Sequence, residues 1–160
     1  MSGETTTFDD LRDLYQDVIL DHGRRPRHGT RPAVFDASAK GDNPMCGDRV
    51  EVFLRHAPDG TIADAGFEAR GCAISIASAD LMAETVTGKR PEDARALFAA
   101  FRELARTGTC PACDPELAAP LERLAPLAGV HEYPSRVKCA TLPWHALIAA
   151  LDGAQEASSE

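Results

Sequence analysis

The sequence predicts an α+β domain in which helices pack on one face of a small sheet. Three observations carry that prediction. Residues 49–56, RVEVFLRH, alternate apolar Val50, Val52 and Leu54 with Arg49, Glu51 and Arg55, the period of a half-buried strand. The turn Ala57-Pro58-Asp59-Gly60 that follows has hairpin chemistry. The stretches of helical period then come as a block after the strands instead of alternating with them, which favours segregated layers over a wound parallel sheet.

In chain order, a first helix is expected over residues 8–22, where Phe8, Leu11, Leu14, Tyr15, Val18 and Ile19 form one stripe. Thr7 is placed to cap it, Asp9 and Asp10 suit its positive end, and Gly23 suits a left-handed stop. A polar loop containing proline follows, and residues 33–39 offer an additional strand. In the strand at 49–56, Phe53 falls on the polar side and is the one break in alternation; TIADAGFEARG after the turn returns as an antiparallel partner. Residues 73–87 read as a helix presenting Ile74, Ala77, Leu81 and Met82, with Gly88 at its stop. Pro91 opens another that runs to about Arg106 with the stripe Leu97, Phe98, Phe101 and Leu104, and Gly108 ends it. Pro120 and Pro126 limit residues 116–127 to a short or kinked helix. The last helix is expected over 140–151, burying Trp144, Leu147, Ile148 and Leu151. One domain over residues 1–153 and a disordered polar tail over 154–160 complete the expectation.

Composition narrows the function. At 160 residues, 44% hydrophobic and 26% charged, the chain has the make-up of an ordinary soluble domain, and no apolar run approaches a membrane span. A net charge of −8 argues against a nucleic-acid partner, which would require clustered Lys and Arg. The start, MSGETTTFDD, is polar and acidic where an export signal is basic and then apolar, so a cytoplasmic location is expected. In that setting the five cysteines are thiols, and metal binding or thiol chemistry is the class to weigh.

Cys46 lies in Asn43-Pro44-Met45-Cys46-Gly47-Asp48, immediately before the predicted strand. Cys72 follows Gly71 at a strand-to-helix junction, and Cys139 follows Arg136-Val137-Lys138 at the expected start of the last helix. Both are expected at helix N-termini, where free N–H groups and the dipole stabilise a thiolate. Three thiolates and a carboxylate make a tetrahedral zinc set, but these spacings match no local zinc-finger pattern, and buried core cysteines explain them as well. Cys110-Pro111-Ala112-Cys113 is a compact C-x-x-C lying in a loop, open to reading as an inert pair, a redox dithiol or half a metal site. No Gly-x-Ser-x-Gly elbow surrounds Ser75 or Ser78, and no H-E-x-x-H spacing joins the five histidines; His56 and His145 read as structural or surface residues.

Four stretches resemble the U-type iron–sulfur assembly proteins, and within them the SufU branch: Leu14-Tyr15-Gln16-Asp17-Val18-Ile19-Leu20-Asp21-His22, the Cys46 motif, Gly71-Cys72-Ala73-Ile74-Ser75-Ile76-Ala77-Ser78, and Arg136-Val137-Lys138-Cys139-Ala140-Thr141-Leu142. The resemblance covers nearly the whole chain. It implies a three-stranded antiparallel sheet with packed helices, zinc held by Cys46, Asp48, Cys72 and Cys139, and Cys46 as the sulfur acceptor. It further implies a zinc-dependent sulfurtransferase that takes persulfide sulfur from a SufS-type pyridoxal-phosphate cysteine desulfurase and passes it to the downstream Suf assembly machinery. Arg136 and Lys138 are expected to offset the negative charge of the ligand set, Arg136 through its fork of donors.

Lys138 stands where IscU-type scaffolds place a histidine, and the helix from Pro91 lies in a segment resembling the SufU insertion. Both features favour transfer over an iron–sulfur cluster scaffold built on the same ligands, which is the alternative reading. A dithiol oxidoreductase through Cys110 and Cys113 is a second alternative.

Overall fold

The computed structural model describes residues 8–44, 47–109 and 115–157, the side chains of residues 8–14 excepted. The chain runs α1 (Phe8–Arg24), β1 (Ala37–Asn43), β2 (Asp48–His56), β3 (Ile62–Arg70), α2 (Ala73–Val86), α3 (Pro91–Thr107), α4 (Ala118–Leu124), α5 (Pro134–Leu151) and β4 (Glu156–Ala157). Short 3-10 turns at Pro115–Leu117 and Ala125–Glu132 flank α4, consistent with the two prolines that break this region. Among the described residues, no helix is long and apolar enough to cross a membrane.

The α+β class holds, but the sheet is four-stranded and mixed, in the order β3-β2-β1-β4, and not three antiparallel strands. β1, β2 and β3 do form an antiparallel meander, with Val52 paired to both Ala39 and Phe67. The addition is β4, which runs parallel to β1 with Lys40 opposite Glu156. After α5 the chain turns back, with the Ala154 N–H on the Ala149 carbonyl, and the Lys40 N–H finds the Gln155 carbonyl at 2.9 Å. Two residues expected in a disordered tail thus satisfy backbone groups on the edge of β1.

Phe53 is fully buried despite its position opposite the main core. The loop after α1 covers that face, setting the Phe35 ring edge-on to Phe53 at 5.0 Å and the Arg31 guanidinium 5.2 Å from the Phe53 ring centre. β1 also starts later than expected, at Ala37, because residues 33–36 belong to this cover. The Thr7 cap lies outside the described residues. Gly23 lies within α1 and does not stop it; a Cβ there would approach the Ala73 Cβ to 3.0 Å, so glycine lets α1 close onto the start of α2.

α2 is buried along most of its length, from Ser75 to Val86. Most of its buried polar side chains are committed, the Ser75 hydroxyl being the exception. The Ser78 hydroxyl donates to the Ala140 carbonyl of α5 at 2.5 Å, and Thr85 bonds back to Leu81 within the helix. Asp80, fully buried, accepts from the Arg27 and His28 backbone N–H groups, each at 2.8 Å, and meets His22 Nδ1 at 2.5 Å. One carboxylate thereby pins the end of α1 and the first turn of the covering loop onto the central helix. On the far side, Trp144 of α5 stacks against Phe101 and Phe98 of α3, with centroids 5.0 and 6.1 Å away.

Replacing Asp80 with alanine orphans two part-buried N–H groups and removes the partner of His22. The expected loss is about 3 kcal/mol, read as a lower denaturant midpoint at unchanged m-value.

Candidate metal centre

Three elements deliver one side chain each to a common point. Asp48 is the first residue of β2, paired with Asn43 of β1, and it is fully buried. Cys72 is the N-cap of α2, with extended backbone at φ −76° and ψ 163°. Its sulfur accepts the Ser75 N–H at 3.4 Å, the bond that serine or aspartate makes at most caps. Cys139 is buried on α5.

The helix containing Cys139 begins earlier than expected, at Pro134, so that thiol sits in the second turn and not at an N-terminus. The first turn, Pro134-Ser135-Arg136-Val137-Lys138, is largely exposed and carries no apolar stripe to announce it. The Cys139 thiol lies 3.7 Å from the Ser135 carbonyl, within its own helix. Helix-end stabilisation of a thiolate therefore applies to Cys72 alone.

Gly71 makes the approach possible. With φ at +150°, it turns the chain from β3 into α2, and a Cβ there would lie 2.1 Å from Asp48 Oδ1. The same oxygen accepts the Cys72 N–H at 3.0 Å, while Asp48 Oδ2 lies 3.8 Å from Cys72 Sγ. Ligand atoms of Asp48, Cys72 and Cys139 all fall within 4.8 Å of one another. In a tetrahedron with sulfur about 2.3 Å from the metal, neighbouring ligand atoms stand about 3.8 Å apart, so the spacing and the S, S, O donor set fit zinc.

Electrostatics act in the same direction. The Cys72 thiol is lowered to about 6, chiefly because the Cys139 thiol hydrogen-bonds to it. Burial opposes the shift; the Ser75 and Ile74 N–H groups assist it, and the Asp48 charge resists it. A carboxylate and a thiolate at this distance repel one another, and a cation between them removes that repulsion.

Of the residues that the sequence singled out, the structure brings Asp48, Cys72 and Cys139 together. Cys46, Cys110 and Cys113 lie outside the described residues. Lys138 lines a groove between α3 and α5, and Arg136 stands in the exposed first turn of α5. Sequence reasoning quoted Gly71 without its spatial role, and the β3-to-α2 turn that it makes is the signal that exposes it. It also passed over Arg102, Arg106 and His131, and read His145 as a structural or surface residue; all four share the Lys138 groove.

A family model for the NifU-like N-terminal domain matches residues 14–140. The chain is 36% identical over 139 residues to the zinc-dependent sulfurtransferase SufU of Bacillus subtilis, covering 86% of this chain and 88% of that protein. It is 38% identical over 137 residues to the iron–sulfur cluster assembly scaffold protein IscU of Streptococcus pyogenes, covering 86% and 82%. A crystal structure described as an iron–sulfur cluster assembly scaffold protein for the SUF system, from Fervidobacterium islandicum, superposes with a TM-score of 0.74 at 29% identity, covering 88% of this chain and 98% of that one. With the fold, the Asp-Cys-Cys convergence and these relatives in agreement, the chain belongs to the NifU-like N-terminal domain family, which includes the iron–sulfur assembly proteins SufU and IscU.

Proposed function

We propose that this protein is a zinc-dependent sulfur carrier of iron–sulfur cluster assembly, accepting sulfur on Cys46 from the persulfide of a SufS-type cysteine desulfurase. The observation that carries the reading is the convergence of Asp48, Cys72 and Cys139 within 4.8 Å. Cys46 is joined to Asp48 through Gly47 alone and is the fourth ligand in this proposal. Zinc held by these four would keep the thiols deprotonated at neutral pH and exchange a ligand without geometric penalty.

The residues divide the work. Asp48, Cys72 and Cys139 sit on the ends or flanks of packed elements and hold their positions. Cys46, in the turn between β1 and β2, is the ligand that leaves to react. Its thiolate attacks the outer sulfur of the donor persulfide; a new S–S bond forms on Cys46, the donor S–S bond breaks, and the electron pair departs with the donor thiolate. Cys46 ends oxidised to a persulfide and the donor cysteine is reduced.

The similarity to IscU supports a second reading, a cluster scaffold on the same ligands. Lys138 weighs against it, because a protonated ammonium offers no lone pair to a cluster iron. Anaerobic reconstitution that yields a cluster chromophore at unit stoichiometry, with no zinc in the purified protein, would select the scaffold.

Three outcomes test the carrier. After incubation with desulfurase and cysteine, mass spectrometry should place the added sulfur on Cys46, and Cys46→Ala should abolish stimulation of the desulfurase; sulfur on Cys110 or Cys113 overturns the assignment. Metal analysis should find one zinc, lost in Cys72→Ser and Cys139→Ser, retained in Cys110→Ser, and weakened at least tenfold in Gly71→Ala, whose Cβ collides with Asp48. In metal-free protein, alkylation at Cys72 should rise with pH through a midpoint near 6, because the depressed thiol is ionised above that value and protonated below it.

A further inference from the structure

A groove of about 320 Å³ lies between α3 and α5 and reaches the 3-10 turn before α5. Arg102 and Arg106 project from α3, Lys138 and His145 from α5, and His131 from the turn, above a floor that includes Val137. In a chain of net charge −8, five basic side chains and no acidic one line a single space.

Ion pairing separates these cations from several others in the chain. Arg27, Arg49, Arg95 and Arg123 each reach a carboxylate, Arg95 of the same helix meeting Asp152 at 2.5 Å. Arg102, Arg106 and Lys138 make no ion pair among the described residues. The consequence is felt at His145, whose pKa is held below its ordinary value by burial and then by the Arg102 charge. His131 is committed on one side, its Nδ1 lying 2.8 Å from the Ala128 carbonyl, which leaves Nε2 for another partner.

We propose that this groove binds a small organic polyanion bearing two or more carboxylate or phosphate groups. Two guanidinium forks one helical turn apart, with an ammonium facing them from α5, match a pair of oxyanions separated by a short carbon frame. The apolar floor accommodates that frame, and the volume falls within the range of small-molecule sites while exceeding the need of one inorganic anion. Bound there, the anion would bridge α3 to the helix that carries Cys139, at the residue next to that thiol. The proposal rests on the groove alone and is independent of the sulfur-carrier reading.

The test is titration of the full-length, zinc-loaded protein with succinate and with 3-phosphoglycerate, both weak zinc chelators. Amide shifts are followed by NMR at ionic strength held constant with sodium chloride. Saturable shifts confined to α3 residues near 102–106 and α5 residues near 137–145 are expected for at least one probe, and which one identifies carboxylate or phosphate as the preferred group. Arg102→Gln and Arg106→Gln, exposed substitutions that keep helix propensity, should each weaken binding at least tenfold, whereas Arg95→Gln should leave it unchanged. Shifts no larger than chloride produces, or unchanged affinity in both groove variants, overturn the proposal. So does binding of an acidic glutamate peptide with neither small anion, which would make the groove a protein-docking face.

Discussion

The candidate site depends on the bond from the Cys72 N–H to the buried Asp48 carboxylate. It joins the beginning of β2 to the beginning of α2, beside the Arg49–Arg70 pairing that brings the ends of β2 and β3 together. A buried carboxylate needs partners, and this one has an N–H on one oxygen and sulfur near the other. Gly71 is the steric condition for that contact, since any side chain there would occupy the space that Asp48 fills. The thiols then need little further positioning: Cys72 is fixed as an N-cap, and Cys139 is fixed by a helix whose inner face is core.

Rigidity behind the site comes from α2. α2 exposes Glu84 but is buried along most of its length, and within it Ser78 and Asp80 work as ties to α5 and to α1 with its loop. The ligand-bearing elements are consequently braced from several directions before any metal binds.

Charge is distributed unevenly around this frame. The protein is acidic overall, the ligand set adds more negative charge, and yet one groove beside α5 gathers Arg102, Arg106 and Lys138, which make no ion pair among the described residues. The helix α3, which contributes Arg102 and Arg106 to that groove, also supplies Phe98 and Phe101 to the packing of Trp144. A single amphipathic helix thus builds part of the core with one face and a cationic wall with another.

Periodicity and punctuation in the sequence were enough to determine the α+β class, the β2–β3 hairpin, and helices opening at Ala73 and Pro91, because each reflects local chemistry: alternation, a Pro-Asp-Gly turn, a proline start, a glycine stop. The Cys46, Cys72 and Cys139 motifs, read with their resemblance, indicated the family and proposed a ligand set, of which the structure brings Asp48, Cys72 and Cys139 together. Three other features came only with the tertiary structure. The polar tail adds β4 because an edge strand offers unpaired backbone groups, which no side-chain pattern records. Phe53 is core because a separate loop folds over it, and Cys139 lies inside a helix whose exposed first turn has no apolar stripe. The distance from Asp48 to Cys72, and the groove that Arg102 shares with Lys138, join residues remote in sequence. Such proximity is set by packing over the whole chain, whereas motifs and periodicity report only what neighbouring residues do to one another.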